Sequence, residues 1–150
     1  MRTRSLMPHL IKSFAIKARD YIRGGDVSIQ IQGLLKTIGF DADLIRRTSV
    51  CAYEAEMNVV MHGGDATLTL TVDTDRIVMD VKDEGPGIEN IELALKEGYS
   101  TASEEQREMG FGAGMGLPNI QKNADRLEIE SERGKGTHVK ISFGVKSDGG

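Results

Sequence analysis

At 150 residues, with 39% hydrophobic and 28% charged side chains, the chain has the length and composition expected of a single soluble domain, large enough to bury about 68–70% of its unfolded surface without staples. A net charge of −4 without a basic stripe excludes a nucleic-acid footprint, and no apolar run approaches the roughly 18 residues of a membrane span. The lone Cys51 excludes an internal disulfide and, with an N-terminus that lacks a signal-peptide apolar stretch, points to the reducing cytoplasm.

Residues 1–9 show no period and are expected to be a flexible arm, as is the polar tail 146–150. Leu10 to Ala18 reads as a first strand, with Ile11, Phe14 and Ile16 apolar. Asp26 has the chemistry of an N-cap. Val27, Ile31, Leu34, Leu35 and Ile38 then follow at helical spacing up to the stop at Gly39. Asp41 is expected to cap a longer helix ending near His62, stopped by Gly63-Gly64. On that helix Leu44, Thr48, Cys51, Ala52, Ala55 and Val59 make one apolar stripe. Glu54 and Asn58, four residues apart, stack together on its rim, where a carboxylate and an amide are expensive unless something satisfies them. Glu56 falls on another face and reads as solvated. Cys51 lies on the apolar side and reads as core.

Ala66 to Val72 and Ile77 to Val81 alternate about the turn Asp73-Thr74-Asp75-Arg76, the pattern of an antiparallel hairpin with one buried face. It delivers Asp83 ahead of Gly85-Pro86-Gly87. A Pro-Gly turn accounts for the glycines but not for a carboxylate at the strand terminus. Asn90 to Glu97 reads as a short helix, and the polar segment Tyr99 to Met109 as a lid. Gly110, Gly112, Gly114 and Gly116 alternate with other residues and run into Leu117-Pro118. A glycine cradle feeding a helix N-terminus exposes peptide N–H groups and suits phosphate. It is neither a Walker loop, which needs Lys and Ser or Thr after its last glycine, nor a dinucleotide fingerprint, whose third glycine is missing. Pro118 to about Asp125 is the following helix, and Leu127 to Glu130 with Val139 to Phe143 form a second strand pair. The elements predict an α+β two-layer α/β sandwich, residues 1–150 forming one domain, its mixed, mostly antiparallel sheet covered by helices on one face.

Taken together, Glu54-x-x-x-Asn58, Asp83-x-Gly85-x-Gly87, the glycine loop and Gly136-Thr137 resemble, in order and spacing, the four boxes of the GHKL (Bergerat-fold) ATPases. The resemblance covers nearly the whole chain from the first helix onward. It implies ATP and Mg²⁺ as ligands. Asp83 would accept a hydrogen bond from the adenine amine, with Thr137 assisting, and Gly85 and Gly87 would let the base lie against backbone. Asn58 would supply the protein's oxygen to Mg²⁺. Gly110, Gly112, Gly114, Met115, Gly116 and Leu117 would wrap the phosphates, with Ser100 and Thr101 of the lid near them. Glu54 would be the general base.

Gyrase, mismatch-repair and chaperone relatives carry long additional domains, and histidine kinases a phosphoacceptor-histidine helix domain, for which 150 residues leave no room. The expected branch is therefore the free-standing anti-sigma-factor and stress-switch serine kinases of the RsbW/RsbT type, with the run Gly114 to Ile120 nearer the RsbT subgroup. That branch implies a serine/threonine kinase acting on a STAS-domain antagonist. The alternative is an ATP-dependent module that sequesters a sigma factor or other regulator as a homodimer, with little or no kinase activity. A third reading is an ATPase with water as acceptor.

Overall fold

The computed structural model describes residues 10–85, 87, 91, 95–96, 116–132 and 134–145. The elements run β1 (Leu10–Ile16), α1 (Asp26–Ile38), α2 (Ala42–His62), β2 (Ala66–Val72), β3 (Arg76–Asp83), α3 (Gly116–Asn123), β4 (Arg126–Glu132) and β5 (Gly136–Gly144). The strands form a sheet in the order β1-β2-β3-β5-β4. Every pairing among the described residues is antiparallel, so the parallel pair that a mixed sheet would need is not found among them.

Alternation decides which face of the sheet is buried. Leu68, Leu70 and Val72 of β2 stand in register with Val81, Met79 and Ile77 of β3, and these with Val139, Ile141 and Phe143 of β5. All nine are buried beneath the helices. The opposite face carries polar cross-strand pairs: Ser13 Oγ lies 3.2 Å from Thr69 Oγ1, and His138 Nε2 lies 2.8 Å from Asp80 Oδ1. The first strand is one residue out of the expected pattern. Phe14 and Ile16 face the core, but Ile11 is 61% exposed on the polar side, because its register partner is Thr71. Lys12 takes the core-side position instead and lays its amine 5.5 Å above the Phe14 ring.

The helices begin and end where their capping chemistry allows. Asp41 Oδ1 accepts from the Leu44 N–H at 2.9 Å, the expected N-cap of α2. Gly39 closes α1 in the left-handed conformation with φ 100°. Two expectations are overturned. Asp26 is the first helical residue of α1, and Gly25 holds the cap position without a side-chain bond. The cap comes from another helix. Glu56, expected on a solvated face, is buried, and its two carboxylate oxygens accept from the Val27 and Ser28 N–H groups at 3.1 and 3.0 Å. The orphan donors and positive dipole end of α1 are what make a buried carboxylate tolerable there. At the other end of α2, the Arg19 guanidinium donates to the Val60 and Met61 carbonyls. Arg19 has a left-handed φ of 67°.

The arm 1–9, the lid 99–109, the glycine loop through Met115 and the tail 146–150 lie outside the described residues. Of the short helix expected over 90–97, Ile91, Leu95 and Lys96 are described, and the Leu95 N–H donates to the Ile91 carbonyl at 3.0 Å.

Replacing Glu56 by Ala strands two buried N–H groups and should cost about 3 kcal/mol in urea unfolding, as expected for lost charge-assisted bonds. A second expectation concerns His62, which burial, aided by the nearby Arg19 guanidinium, holds below its ordinary pKa of 6.5. Its folded-state pKa is depressed, so the stability tied to the neutral ring is complete above pH 6.5 and is lost as pH falls toward the folded value. In His62→Gln this contribution to the pH dependence of unfolding should disappear.

Candidate functional site

The candidate residues fall into two clusters. The first lies where α3 docks antiparallel on α2. Residues 47, 51, 54 and 58 share one stripe of α2, as steps of three and four along a helix require. Arg47 donates to the Asn123 carbonyl at 3.0 Å. Cys51 Sγ lies 3.7 Å from the Ile120 carbonyl. Asn119 Nδ2 donates to Glu54 Oε2 at 2.6 Å. Asn58 Oδ1 would stand 3.7 Å from a Cβ built on Gly116. The stripe thus passes from an arginine that anchors the far end of α3 to an amide facing its glycine start.

Glu54 and Asn58 are both half-buried, as their place on the rim of the stripe requires. Asn58 makes no side-chain hydrogen bond among the described residues, which leaves its oxygen available to a hard cation. Cys51 is buried, and burial pushes its thiol up to about 12; the Arg47 charge opposes the rise and the Glu54 charge adds to it. It is a core thiol, not a nucleophile. Helix α3 starts at Gly116, two residues before the expected proline. Pro118 falls in the first turn, where its missing N–H removes nothing the helix uses.

The second cluster is at the end of β3. Register places Ala66, Asp83, Thr137 and Ser131 in one row across β2, β3, β5 and β4. Asp83 Oδ1 accepts from the Gly85 N–H at 2.8 Å and the Gly64 N–H at 3.4 Å. Its Oδ2 takes no hydrogen bond among the described residues. Thr137 Oγ1 lies 3.1 Å from Ser131 Oγ.

Backbone packs against backbone here. A Cβ on Gly64 would stand 2.7 Å from the Gly85 nitrogen, and one on Gly87 would stand 2.7 Å from the Glu132 carbonyl oxygen. Gly136 has φ 100°, and a Cβ there would drive into the Asp83 carbonyl. Asp65 ties the neighbouring segments together: its carbonyl accepts from the Glu84 N–H at 3.2 Å, and its Oδ1 from the Ala18 N–H at 3.0 Å.

Of the residues expected at the site, Glu54, Asn58, Gly116 and Leu117 gather at the first cluster, and Asp83, Gly85, Gly87 and Thr137 at the second. Gly110, Gly112, Gly114 and Met115 lie outside the described residues. Sequence reasoning missed Asn119, Ser131 and the packing role of Gly63-Gly64. Ser131 was within reach: three residues between β4 and β5 set Glu132 opposite Gly136 and Ser131 opposite Thr137.

Residues 44–147 match the model of the histidine kinase-, DNA gyrase B- and HSP90-like ATPases. The chain belongs to that family. An anti-sigma F factor of Thermoanaerobacter is 39% identical over 100 residues, covering 63% of this chain and 66% of its own length. The serine/threonine-protein kinase RsbT of Bacillus subtilis is 25% identical over 113 residues, covering 73% of this chain and 79% of its own. The chain thus spans just under two thirds of the anti-sigma factor. Identity is higher to that factor than to RsbT, the reverse of the order that the Gly114–Ile120 run implies. A crystal structure of the RsbU and RsbW domains of a Mycobacterium tuberculosis protein has the same fold, with TM-score 0.57 and 16% identity over 91% of this chain and 33% of its own. Family membership carries ATP as the ligand class, and no helix among the described residues is long and apolar enough to cross a membrane.

The clash at Gly136 can be separated from its backbone angle, since Gly134 also has positive φ, 78°, but open space around it. Gly134→Ala should cost about 1 kcal/mol for the angle alone. Gly136→Ala should cost at least about 3 kcal/mol, because the Asp83 carbonyl has to move as well. Chemical denaturation of the two variants side by side reads the difference.

Proposed function

We propose that the chain is an ATP-binding anti-sigma regulator that acts as a serine/threonine protein kinase on a STAS-domain antagonist. One observation carries the reading: a carboxylate, Glu54, stands one helical turn from an amide, Asn58, that makes no side-chain bond among the described residues, both against the start of α3. A module that only bound nucleotide would not need a base at that position.

The residues present fit Mg-ATP. Asp83 has a carboxylate oxygen that takes no bond among the described residues, so it can accept from the adenine amine while Thr137 offers a hydroxyl beside it. Gly85 and Gly87 would let the base lie against backbone, in a stretch where neighbouring backbone leaves no room for a side chain. Asn58 would hold Mg²⁺ through its amide oxygen, and bound there the ion neutralises phosphate charge. Gly110 to Leu117 would wrap the phosphates at the N-terminus of α3. Glu54 takes the proton of the acceptor hydroxyl as its oxygen bonds to the γ-phosphorus and the bond to ADP breaks. The adenine and phosphate contacts would bind and orient; the carboxylate moves the proton.

The higher identity to an anti-sigma F factor supports a second reading, an ATP-dependent module that holds a sigma factor as a homodimer, with transfer secondary or lost. Transfer of labelled γ-phosphate from Mg-ATP to phosphatase-treated lysate proteins separates the two. The kinase reading expects a small protein labelled by the wild type. It expects the rate to fall by roughly 100-fold or more in Glu54→Ala, the usual worth of a general base. Asp83→Asn keeps the oxygen bonded to Gly85 and Gly64 but turns the second acceptor into a donor. Adenine nucleotide affinity should fall about tenfold or more in it, with folding retained. Nucleotide binding without any labelled protein supports the sequestering module, and transfer that survives Glu54→Ala removes Glu54 as the base.

A further inference from the structure

We propose that Asn119 is the positioning residue of Glu54: it holds the carboxylate by one oxygen and makes its readiness depend on how α3 is seated. The inference rests on the reading of Glu54 as the base. Its geometry is direct, an Asn119 Nδ2 to Glu54 Oε2 bond of 2.6 Å between half-buried side chains on two different helices. An ionised carboxylate only accepts, so the amide must present its nitrogen, and chemistry alone fixes the orientation of the Asn119 side chain. With Oε2 held, rotation of the carboxyl group is blocked and Oε1 is the oxygen left to take a proton. A carboxylate with two free torsions would spend much of its time turned elsewhere.

The same bond links the base to the phosphate side of the site. Asn119 lies three residues after Gly116, the glycine that faces Asn58, and α3 is a continuous helix from there to Asn123. Its far end is pinned, because Asn123 Nδ2 donates to the Asn119 carbonyl at 2.8 Å and Arg47 to the Asn123 carbonyl at 3.0 Å. A displacement of the N-terminal turn, where the glycine loop enters, carries the Asn119 amide with it. Glu54 is therefore oriented when that turn is seated against α2 and released when it is not.

The charged and titratable groups around Glu54 leave this role to Asn119. On α2 itself the Cys51 thiol stays neutral, its pKa pushed up to about 12. Arg47 is engaged by Asp43 at 3.1 Å and by Asp125, which follows α3, at 3.5 Å. Neither supplies a donor to the carboxylate among the described bonds.

The test uses the full chain and measures γ-phosphate loss from Mg-ATP to protein or water, alongside ATP affinity by equilibrium dialysis and thermal melting. Asn119→Ala should lower kcat about tenfold, the worth of a bond to a charged group, with ATP affinity within about twofold of wild type. Asn119→Asp sets a second carboxylate against Glu54, so the acidic limb of the pH–rate profile should move to higher pH. The proposal is overturned if Asn119→Ala keeps the wild-type kcat and pH limb while Glu54→Ala is inactive; the base reading then stands without it. It is also overturned if Asn119→Ala loses ATP affinity and melting temperature in step with kcat, since that marks a merely structural bond. Wild-type turnover in Glu54→Ala would defeat the base reading itself, and the positioning role with it.

Discussion

Helix α2 has to satisfy three neighbours at once, and a period of 3.6 residues is what makes that feasible. One stripe, Leu44 to Val59, is apolar and lies on the sheet. A second face sends Glu56 to the bare N-terminus of α1. A third, from Arg47 to Asn58, runs along α3 over about three turns and ends on an amide that makes no side-chain bond among the described residues. No position can be shifted by one residue without moving all three interfaces, because each residue's direction is fixed by the helix. The two glutamates make the point. Glu54 and Glu56 are two residues apart, so they point to different faces, and one meets an asparagine while the other is consumed by backbone.

The sheet supplies the second half of the site through register. Antiparallel pairing carries Asp83, Thr137 and Ser131 into one row at the edge of the helix-covered face. Just beyond it, the backbone of 63–64 presses on that of 84–85 so closely that side chains have no room. The carboxylate is held by N–H groups on one oxygen, and its other oxygen takes no bond among the described residues. Close-packed backbone thus sets the direction of Asp83.

Much of this was legible in the sequence wherever periodicity and burial pointed the same way. The long helix, its cap at Asp41, its apolar stripe and the two hairpins are all of that kind, and so is the placement of Glu54 and Asn58 on a rim. What escaped was long-range. A helical wheel shows that Glu56 leaves the apolar stripe, but not that the N-terminus of another helix is waiting there, 28 residues away in sequence from Ser28. In the same way, nothing local marks Asn119 as a partner of Glu54, since only the docking of α3 on α2 brings them together. Ile11 failed for a simpler reason: its β-propensity is satisfied on either face of the sheet, and pairing with Thr71 chose the polar one.

The burial of Cys51 has a practical corollary. Its sulfur sits in the seam between α2 and α3, close to the Ile120 carbonyl, fully shielded and strongly disfavoured as a thiolate. A thiol reagent can reach it only when that seam parts, and it is the single cysteine of the chain. The rate of thiol modification in the untouched native protein is therefore a clock for the separation of the two helices that carry one side of the site.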